Sequence, residues 1–235
     1  MRVLLQLRHD PRTLALLVVI PCLLMALIKG AFEDQAGTFD RIGGPLVGLF
    51  PLILMFLITS ITMLRERTTG TLERLMTMPL SKLDILAGYA IAFAAVAAVQ
   101  AIVVATFSYL ALGLDTVGSP ALVFVLAILN ALLGMALGLF TSAFATTEFQ
   151  AIQFMPAFIL PQILLCGLLV PREDMAPVLE AISWALPMTY AYDALDRVTT
   201  AGSLGSEGWV DLAVTIGAIA LALVLGATTL RRRTA

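Results

Sequence analysis

Six long apolar runs constrain this chain more than any other feature of its sequence. They cover residues 14–32, 42–64, 85–112, 120–145, 149–170 and 209–230. A helix rises about 1.5 Å per residue, so about 20 apolar residues cross a hydrocarbon layer of ~30 Å. A transmembrane β-barrel would instead show alternating segments of about ten residues. The runs therefore predict an all-α, polytopic membrane protein with six transmembrane helices.

The composition excludes several classes of soluble protein. Hydrophobic residues make up 60% of the chain and charged residues only 13%, against about 25% charged in a typical soluble domain. A chain this apolar cannot cover itself with polar surface. This excludes a soluble enzyme, a protein that binds nucleic acid and a secreted disulfide scaffold. Cys22 and Cys166 lie inside apolar runs without metal-ligand spacing, and we interpret them as small apolar fillers.

The distribution of lysine and arginine orients the six runs. Ten of the 14 basic residues lie in segments 1–13, 65–84 and 231–235, and the other four lie on the opposite side. The positive-inside rule then makes 1–13 a cytoplasmic lead-in and 65–84 a cytoplasmic loop, with both termini cytoplasmic and 171–208 an external segment. Residues 1–235 form one transmembrane domain in this interpretation. The alternative, a cleaved signal peptide, lacks a small-x-small cleavage site and would leave the arginine-rich tail on the wrong side.

The chain carries no motif for chemistry of its own. A G-x-x-x-x-G-K-[ST] loop, a metal-ligand cluster and a nucleophile motif are all missing from the sequence. The apolar runs also lack the charged residues that proton- and ion-coupled transporters use. We therefore expect a protein that is not an enzyme and has no cofactor, and any energy for uphill movement must come from outside the bilayer.

Two features inside the runs concern helix packing. Gly134 and Gly138 form a G-x-x-x-G pair, which predicts close helix contact either within the chain or between chains. Pro156 and Pro161 interrupt the fifth run, which is either a kinked packing helix or a helix beside a transport pathway.

The loop between the second and third runs is the most informative segment. Seven charges of both signs crowd into it, and Thr71 is placed to cap a short helix from Leu72 to Met78 that Pro79 ends. A helix that binds lipid would be mostly basic, so the mixed charge favours docking to a cytoplasmic partner.

Three separated motifs resemble the ABC type-2 permeases, the membrane subunits of ABC exporters. The pattern E-R-x-x-G-T-L-E-x-L…P runs from Glu66 to Pro79, the lead-in R-H-D-P…P runs from Arg8 to Pro21, and a stretch similar to the family's external segment runs from Cys166 to Val198. Drug-resistance exporters of the daunorubicin type look closest. The chain departs from that family in its short lead-in of thirteen residues and in the Asp196 that precedes Arg197.

The resemblance implies the ABC type-2 permease fold with a cytoplasmic coupling helix and an external re-entrant segment. It further implies export of a drug, lipid or other amphiphile across the cytoplasmic membrane, among membrane lipids. Two cytoplasmic ABC ATP-binding subunits would bind ATP and Mg and supply the energy, and a second permease copy would complete a homodimer or a heterodimer. The implied coupling residues are Arg65, Glu66, Arg67, Gly70, Thr71, Leu72, Glu73, Arg74, Leu75, Met76 and Pro79.

The resemblance also suggests a substrate pathway between subunits along the second and fifth spans. Its expected lining is Met55, Phe56, Thr59, Phe149, Gln153 and Phe158. The external segment is either a gate that includes Pro171, Pro187 and Tyr190 or a solvated loop. Two other functions compete with export: a non-transporting membrane scaffold or sensor that tethers a cytoplasmic ATPase, and a lipid-modifying enzyme, for which no polar catalytic cluster is present.

Overall fold

The computed structural model describes residues 11–35, 37–70 and 82–229, with side chains described in 15–35, 37–70 and 87–229. Eight α-helices and no strand lie within these residues. The helices are α1 (Pro11–Ala31), α2 (Thr38–Thr68), α3 (Lys82–Leu110), α4 (Pro120–Thr141), α5 (Glu148–Leu165), α6 (Pro177–Ser183), α7 (Pro187–Asp196) and α8 (Gly205–Thr229). A 3₁₀ turn covers Arg172–Asp174 and a π-helical turn covers Arg197–Ala201.

Five of the six predicted spans are confirmed as helices long and apolar enough to cross a membrane. They are α2, residues Ala87–Leu110 of α3, α4, α5 and α8. The first predicted span coincides with α1, whose described apolar part, Ala15–Ala31, is shorter. Several predicted bounds differ from those of the helices by four or five residues: α4 stops at Thr141 rather than 145, α5 stops at Leu165 rather than 170, α2 covers Thr38–Thr68 rather than 42–64, and α8 begins at Gly205 rather than 209. The apolar pattern continues past the end of α5, but Gly167 adopts a φ of +106° that no helix accommodates. After α4 the chain turns at residues 142–144, where the N–H of Phe144 donates to Thr141 O at 3.0 Å.

Helices α2 and α4 form the centre of the bundle through the predicted glycine pair. A Cβ atom added at Gly134 would overlap the carbonyl oxygen of Leu52, and one added at Gly138 would overlap the carbonyl oxygen of Phe56. Both obstacles are backbone atoms, so the two helices touch at a distance that only glycine permits. The G-x-x-x-G pair therefore packs within the chain.

Helix α1 is held against α3 by a polar contact at a proline. Pro21 has no N–H, so it cannot bond to the carbonyl oxygen of Leu17 four residues earlier. The Nε2 of Gln100 on α3 donates to that oxygen at 3.0 Å, and Gln100 is fully buried. The side chain of one helix thus satisfies the backbone group that the proline of another leaves without a partner.

Helix α7 lies inside the bundle rather than in a surface loop. The Nδ2 of Asn130 donates to the carbonyl oxygen of Ala191 at 3.2 Å, and Asn130 is ten residues, or about 15 Å, inside α4. Gln162 of α5 accepts a hydrogen bond at 3.3 Å from the N–H of Met188, in the first turn of α7. The solvated-loop alternative for the external segment is therefore wrong for α7, whereas the re-entrant pair and the gate stay predictions.

The bundle has two distinct ends. At the loop-rich end, defined by residues 37–44, 111–118 and 197–205, the N–H of Val117 donates to Thr199 O at 3.0 Å. At the motif end, defined by residues 64–70, 87–89 and 142–149, the C-terminus of α2 meets α3 and the loop between α4 and α5.

Candidate functional site

The E-R-x-x-G part of the motif ends helix α2. Gly70 has a φ of +72°, the left-handed conformation that glycine adopts without strain, and its N–H donates to Arg67 O at 3.4 Å. The N–H of Thr69 donates to Arg65 O at 2.9 Å. The glycine of the motif therefore ends helix α2 directly before the predicted coupling segment.

The rest of the predicted coupling segment lies outside the described residues. Seven predicted coupling residues fall there, and the coupling helix stays a prediction: Thr71, Leu72, Glu73, Arg74, Leu75, Met76 and Pro79.

Glu66 is a buried carboxylate at the motif end. Its exposed fraction is 6%, and Tyr89 of α3, equally buried, donates its hydroxyl hydrogen to Glu66 Oε2 at 2.9 Å. The Tyr89 ring also stacks on Phe93, with ring centroids 6.4 Å apart. A buried acid is tolerated only when it is hydrogen-bonded, so this contact fixes the end of α2 to α3.

Arg65 and Arg67 fix the same end of α2 to the loop between α4 and α5. Arg65 binds Glu148 with two parallel hydrogen bonds, Nε to Oε1 at 2.7 Å and Nη2 to Oε2 at 2.9 Å. Arg67 Nη1 donates to the carbonyl oxygen of Ser142 at 3.1 Å. Paired arginine–carboxylate bonds restrict direction as well as distance, so the start of α5 is held in a defined orientation to the end of α2.

The loop from 142 to 148 has an ordered hydrogen-bond pattern of its own. Thr147 caps α5 by accepting from the N–H of Gln150 at 3.2 Å. The Oε1 of Gln150 accepts in return from the N–H and the hydroxyl of Thr146, at 2.9 and 2.7 Å. Leu64, Ala145 and Ala151 form a small apolar cluster beside it. The three hydrogen bonds that Arg65 and Arg67 of α2 donate therefore go to an ordered part of the chain.

The predicted pathway residues separate into two groups. Met55, Phe56 and Thr59 of α2 are fully buried inside the chain, and the hydroxyl of Thr59 has no hydrogen-bond partner among the described residues. Phe149 and Phe158 of α5 are 68% and 46% exposed, and Gln153 is exposed as well. Only the α5 group lies on the surface of one subunit, and the pathway itself stays a prediction.

Ion pairs tie the external segment together. Arg172 pairs with Asp193 at 2.6 Å and lies over the ring of Trp184 at 4.5 Å. Burial raises the pKa of Asp193 to about 6, although Arg172 opposes that shift. Arg197 pairs with Glu207 at 2.7 Å. Both arginines of the segment therefore have acidic partners within it.

The three predicted gate residues lie in two places. Pro187 and Tyr190 border an apolar groove of about 530 Å³ between α4 and α8, where the hydroxyl of Tyr190 donates to Trp184 O at 2.7 Å. Pro171 instead lines two cavities of about 510 and 590 Å³ that share Tyr192. The structure brings Pro187 and Tyr190 together and does not bring Pro171 to the same groove.

Three residues have a defined role in the structure that their sequence did not lead us to expect. Tyr89 binds Glu66, Glu148 binds Arg65, and Trp184 stacks on Arg172. The signal for Glu148 was present in the sequence, since a lone acid at the start of an apolar run calls for a basic partner at the end of another. Nothing in the local sequence of Tyr89 or Trp184 indicates the partner.

The five apolar helices and the motif at the end of α2 define a multi-pass helical membrane protein. Comparison with known families gives a match to the ABC-2 type transporter family over residues 1–198. The chain belongs to this family, whose members are transporter membrane subunits.

Similarity to individual transporter proteins supports the same family. The chain is 30% identical over 153 residues, 65% of its length, to the probable multidrug ABC transporter permease YbhR of Escherichia coli. It is 28% identical over 145 residues (62% of its length) to ABC transporter G family member 20 of Dictyostelium discoideum. It is 27% identical over 142 residues (60%) to the linearmycin resistance permease protein LnrN of Bacillus subtilis. The matched parts cover 42%, 20% and 37% of those proteins, respectively.

Proposed function

We propose that this chain is the membrane subunit of an ATP-driven exporter that moves an amphiphilic drug or lipid out across the cytoplasmic membrane. A separate cytoplasmic ABC subunit binds ATP and Mg and supplies the energy. Helix α1 is the sixth span, which places both termini and the motif end in the cytoplasm. The names of the bacterial relatives, a multidrug permease and a linearmycin resistance permease, support this substrate class.

The buried Glu66 is the observation that carries the proposal. It belongs to the E-R-x-x-G motif, and its bond to Tyr89 joins the end of α2 to α3 directly before the segment that docks the ATP-binding subunit. A force applied to that segment reaches two membrane helices at once, because the buried hydrogen bond resists separation of the helix ends.

The substrate moves between two copies of the chain along α5. The exposed Phe149, Gln153 and Phe158 offer aromatic and amide surface to an amphiphile, while Met55, Phe56 and Thr59 of α2 are buried inside the chain. The two copies are identical in the simplest assembly. The packed α6–α7 pair closes the external side, and Pro187 and Tyr190 belong to this gate.

A substitution at Tyr89 tests the coupling role with a matched control. Tyr89→Phe removes the donor to Glu66 and leaves a buried carboxylate oxygen unsatisfied, at a cost of about 1–3 kcal/mol. Tyr109→Phe is the control, because Tyr109 lies on the same helix and bonds to Thr116 at 2.9 Å near the other end. The measurements are ATP hydrolysis by the purified complex and export of fluorescent amphiphiles from membrane vesicles.

We expect Tyr89→Phe and Glu66→Gln to lower export per hydrolysed ATP while the amount of complex stays the same. Tyr109→Phe should keep the ratio of export to hydrolysis. Normal export by both Tyr89→Phe and Glu66→Gln would refute the coupling role of this site. An associated ATP-binding subunit that hydrolyses ATP in the wild-type complex without any export would favour the scaffold alternative instead.

A further inference from the structure

Helix α5 is the least enclosed of the apolar helices, and this makes its attachment at the motif end important. Of the 18 residues of α5, 17% are buried. In an apolar stretch of the same length, 61% of the residues are buried in α2 and likewise in α4. Within one chain, packing therefore restrains α5 less than α2 or α4, and the polar contacts at its two ends carry more of its positioning.

Those polar contacts join α5 to two different parts of the molecule. Near its C-terminus, Gln162 binds the first turn of α7. At its first residue, Glu148 binds Arg65, three residues before the end of α2 and five before the glycine that turns the chain. The only long-range side-chain bond of Glu148 among the described residues is thus to the helix that leads into the predicted coupling segment.

We propose that the Arg65–Glu148 pair is the joint through which movement of the first cytoplasmic loop is passed to α5. This inference rests on the proposed function, because it assumes that an ATP-binding subunit moves that loop. Glu148 is a positioning residue in this scheme and does not contact substrate.

The geometry of the pair suits a joint better than a stabilising contact. The side chains of Arg65 and Glu148 are 60% and 50% exposed, and exposed ion pairs contribute little to stability. Their two parallel bonds nevertheless fix the relative orientation of the two helix ends. The bond from Arg67 to Ser142 O holds the neighbouring loop in place, so the pair rotates as a unit with the end of α2.

The experiment measures movement of α2 and α5 separately in the assembled complex. Spin labels go on three exposed positions, Thr69 after the end of α2, Gln153 on α5 and Ile91 on α3 as the reference, in a chain with both cysteines replaced. Distances from Ile91 to Thr69 and from Ile91 to Gln153 are recorded without nucleotide and after trapping with ATP and vanadate. The wild-type chain should show both distances shifting by about 2 Å or more.

The informative variant is Glu148→Gln, which keeps the shape of the side chain and removes its charge. We expect the Thr69 distance to shift as in the wild type and the Gln153 shift to fall to less than about half. Glu148→Asp should restore the Gln153 shift because it restores the carboxylate. Glu207→Gln is the matched control, since it removes the charge of another exposed glutamate, which pairs with Arg197 in the external segment, and it should leave both shifts unchanged.

The possible failures are distinguishable. A full Gln153 shift in Glu148→Gln would overturn the joint while leaving the proposed function intact. A missing shift at both Thr69 and Gln153 in the wild-type chain would overturn the proposed function and the joint with it. An equal loss in Glu148→Gln and Glu148→Asp would also overturn the joint, because the side-chain charge would then not matter.

Discussion

Replacing Gly134 by alanine tests the closest helix contact in the bundle. The added Cβ would overlap the carbonyl oxygen, the carbonyl carbon and the Cα of Leu52, all of them backbone atoms. A side chain could rotate away, but these atoms can be relieved only by moving α2 away from α4. Overpacking of a well-packed site costs about 1–3 kcal/mol, and this substitution belongs at the upper end of that range because no side chain can give way.

The expected size of the effect follows from the length of the chain. For proteins of this size, about 1 kcal/mol lowers the melting temperature by about 2–4 °C. We therefore expect Gly134→Ala to lower the melting temperature in mild detergent by about 5–10 °C. The assay heats samples and measures the fraction that still elutes as a single species on size-exclusion chromatography.

Gly217→Ala is the matched control for this prediction. Gly217 also lies in an apolar helix, α8, but a Cβ added there meets no atom within 4 Å. Alanine has the higher helix propensity, by about 1 kcal/mol, so this variant should be as stable as the wild type or slightly more stable. Equal melting temperatures for Gly134→Ala and Gly217→Ala would refute the inference that the glycine pair brings α2 and α4 together.

Two further predictions concern buried polar contacts. Gln100→Leu should lower the melting temperature, and the loss should be smaller in a Pro21→Ala background, where residue 21 regains its own N–H donor; additive losses would contradict this. In a Trp209→Phe background, the fluorescence of Trp184 should change as the pH falls through about 6. Asp193 then takes up a proton and no longer holds Arg172 over the Trp184 ring. The change should be missing in Asp193→Asn, and a transition that persists there would contradict the assignment.

The helical architecture was largely predictable because membrane crossing imposes a simple rule on the sequence. Apolar runs of about 20 residues anticipated the five helices that are long and apolar enough to span a membrane, and the glycine pair anticipated a close helix contact, which the structure places between α2 and α4. The ends of α4 and α5 were not predictable in this way. The left-handed backbone of Gly167 follows the end of α5, and a turn at residues 142–144 follows the end of α4. Apolar residues continue past both ends, so composition does not mark them.

The candidate site was predictable only where residues lie close together in the sequence. The motif indicated Arg65, Glu66 and Gly70 because they share one helix end. Their partners Tyr89 and Glu148 lie 23 and 83 residues away, and only the folded chain brings them into contact. The external segment illustrates the same limit, since its charges suggested a solvated loop as readily as the ion-paired, buried α7.

The mass of the intact complex, purified from native membranes in mild detergent, tests the central proposal most directly. An exporter subunit of this kind predicts two copies of the chain with two ATP-binding subunits. One copy beside a different permease and two ATP-binding subunits would keep the function and replace the homodimer by a heterodimer. The chain without any ATP-binding subunit, under conditions in which a known exporter of the family stays assembled, would contradict the proposed function.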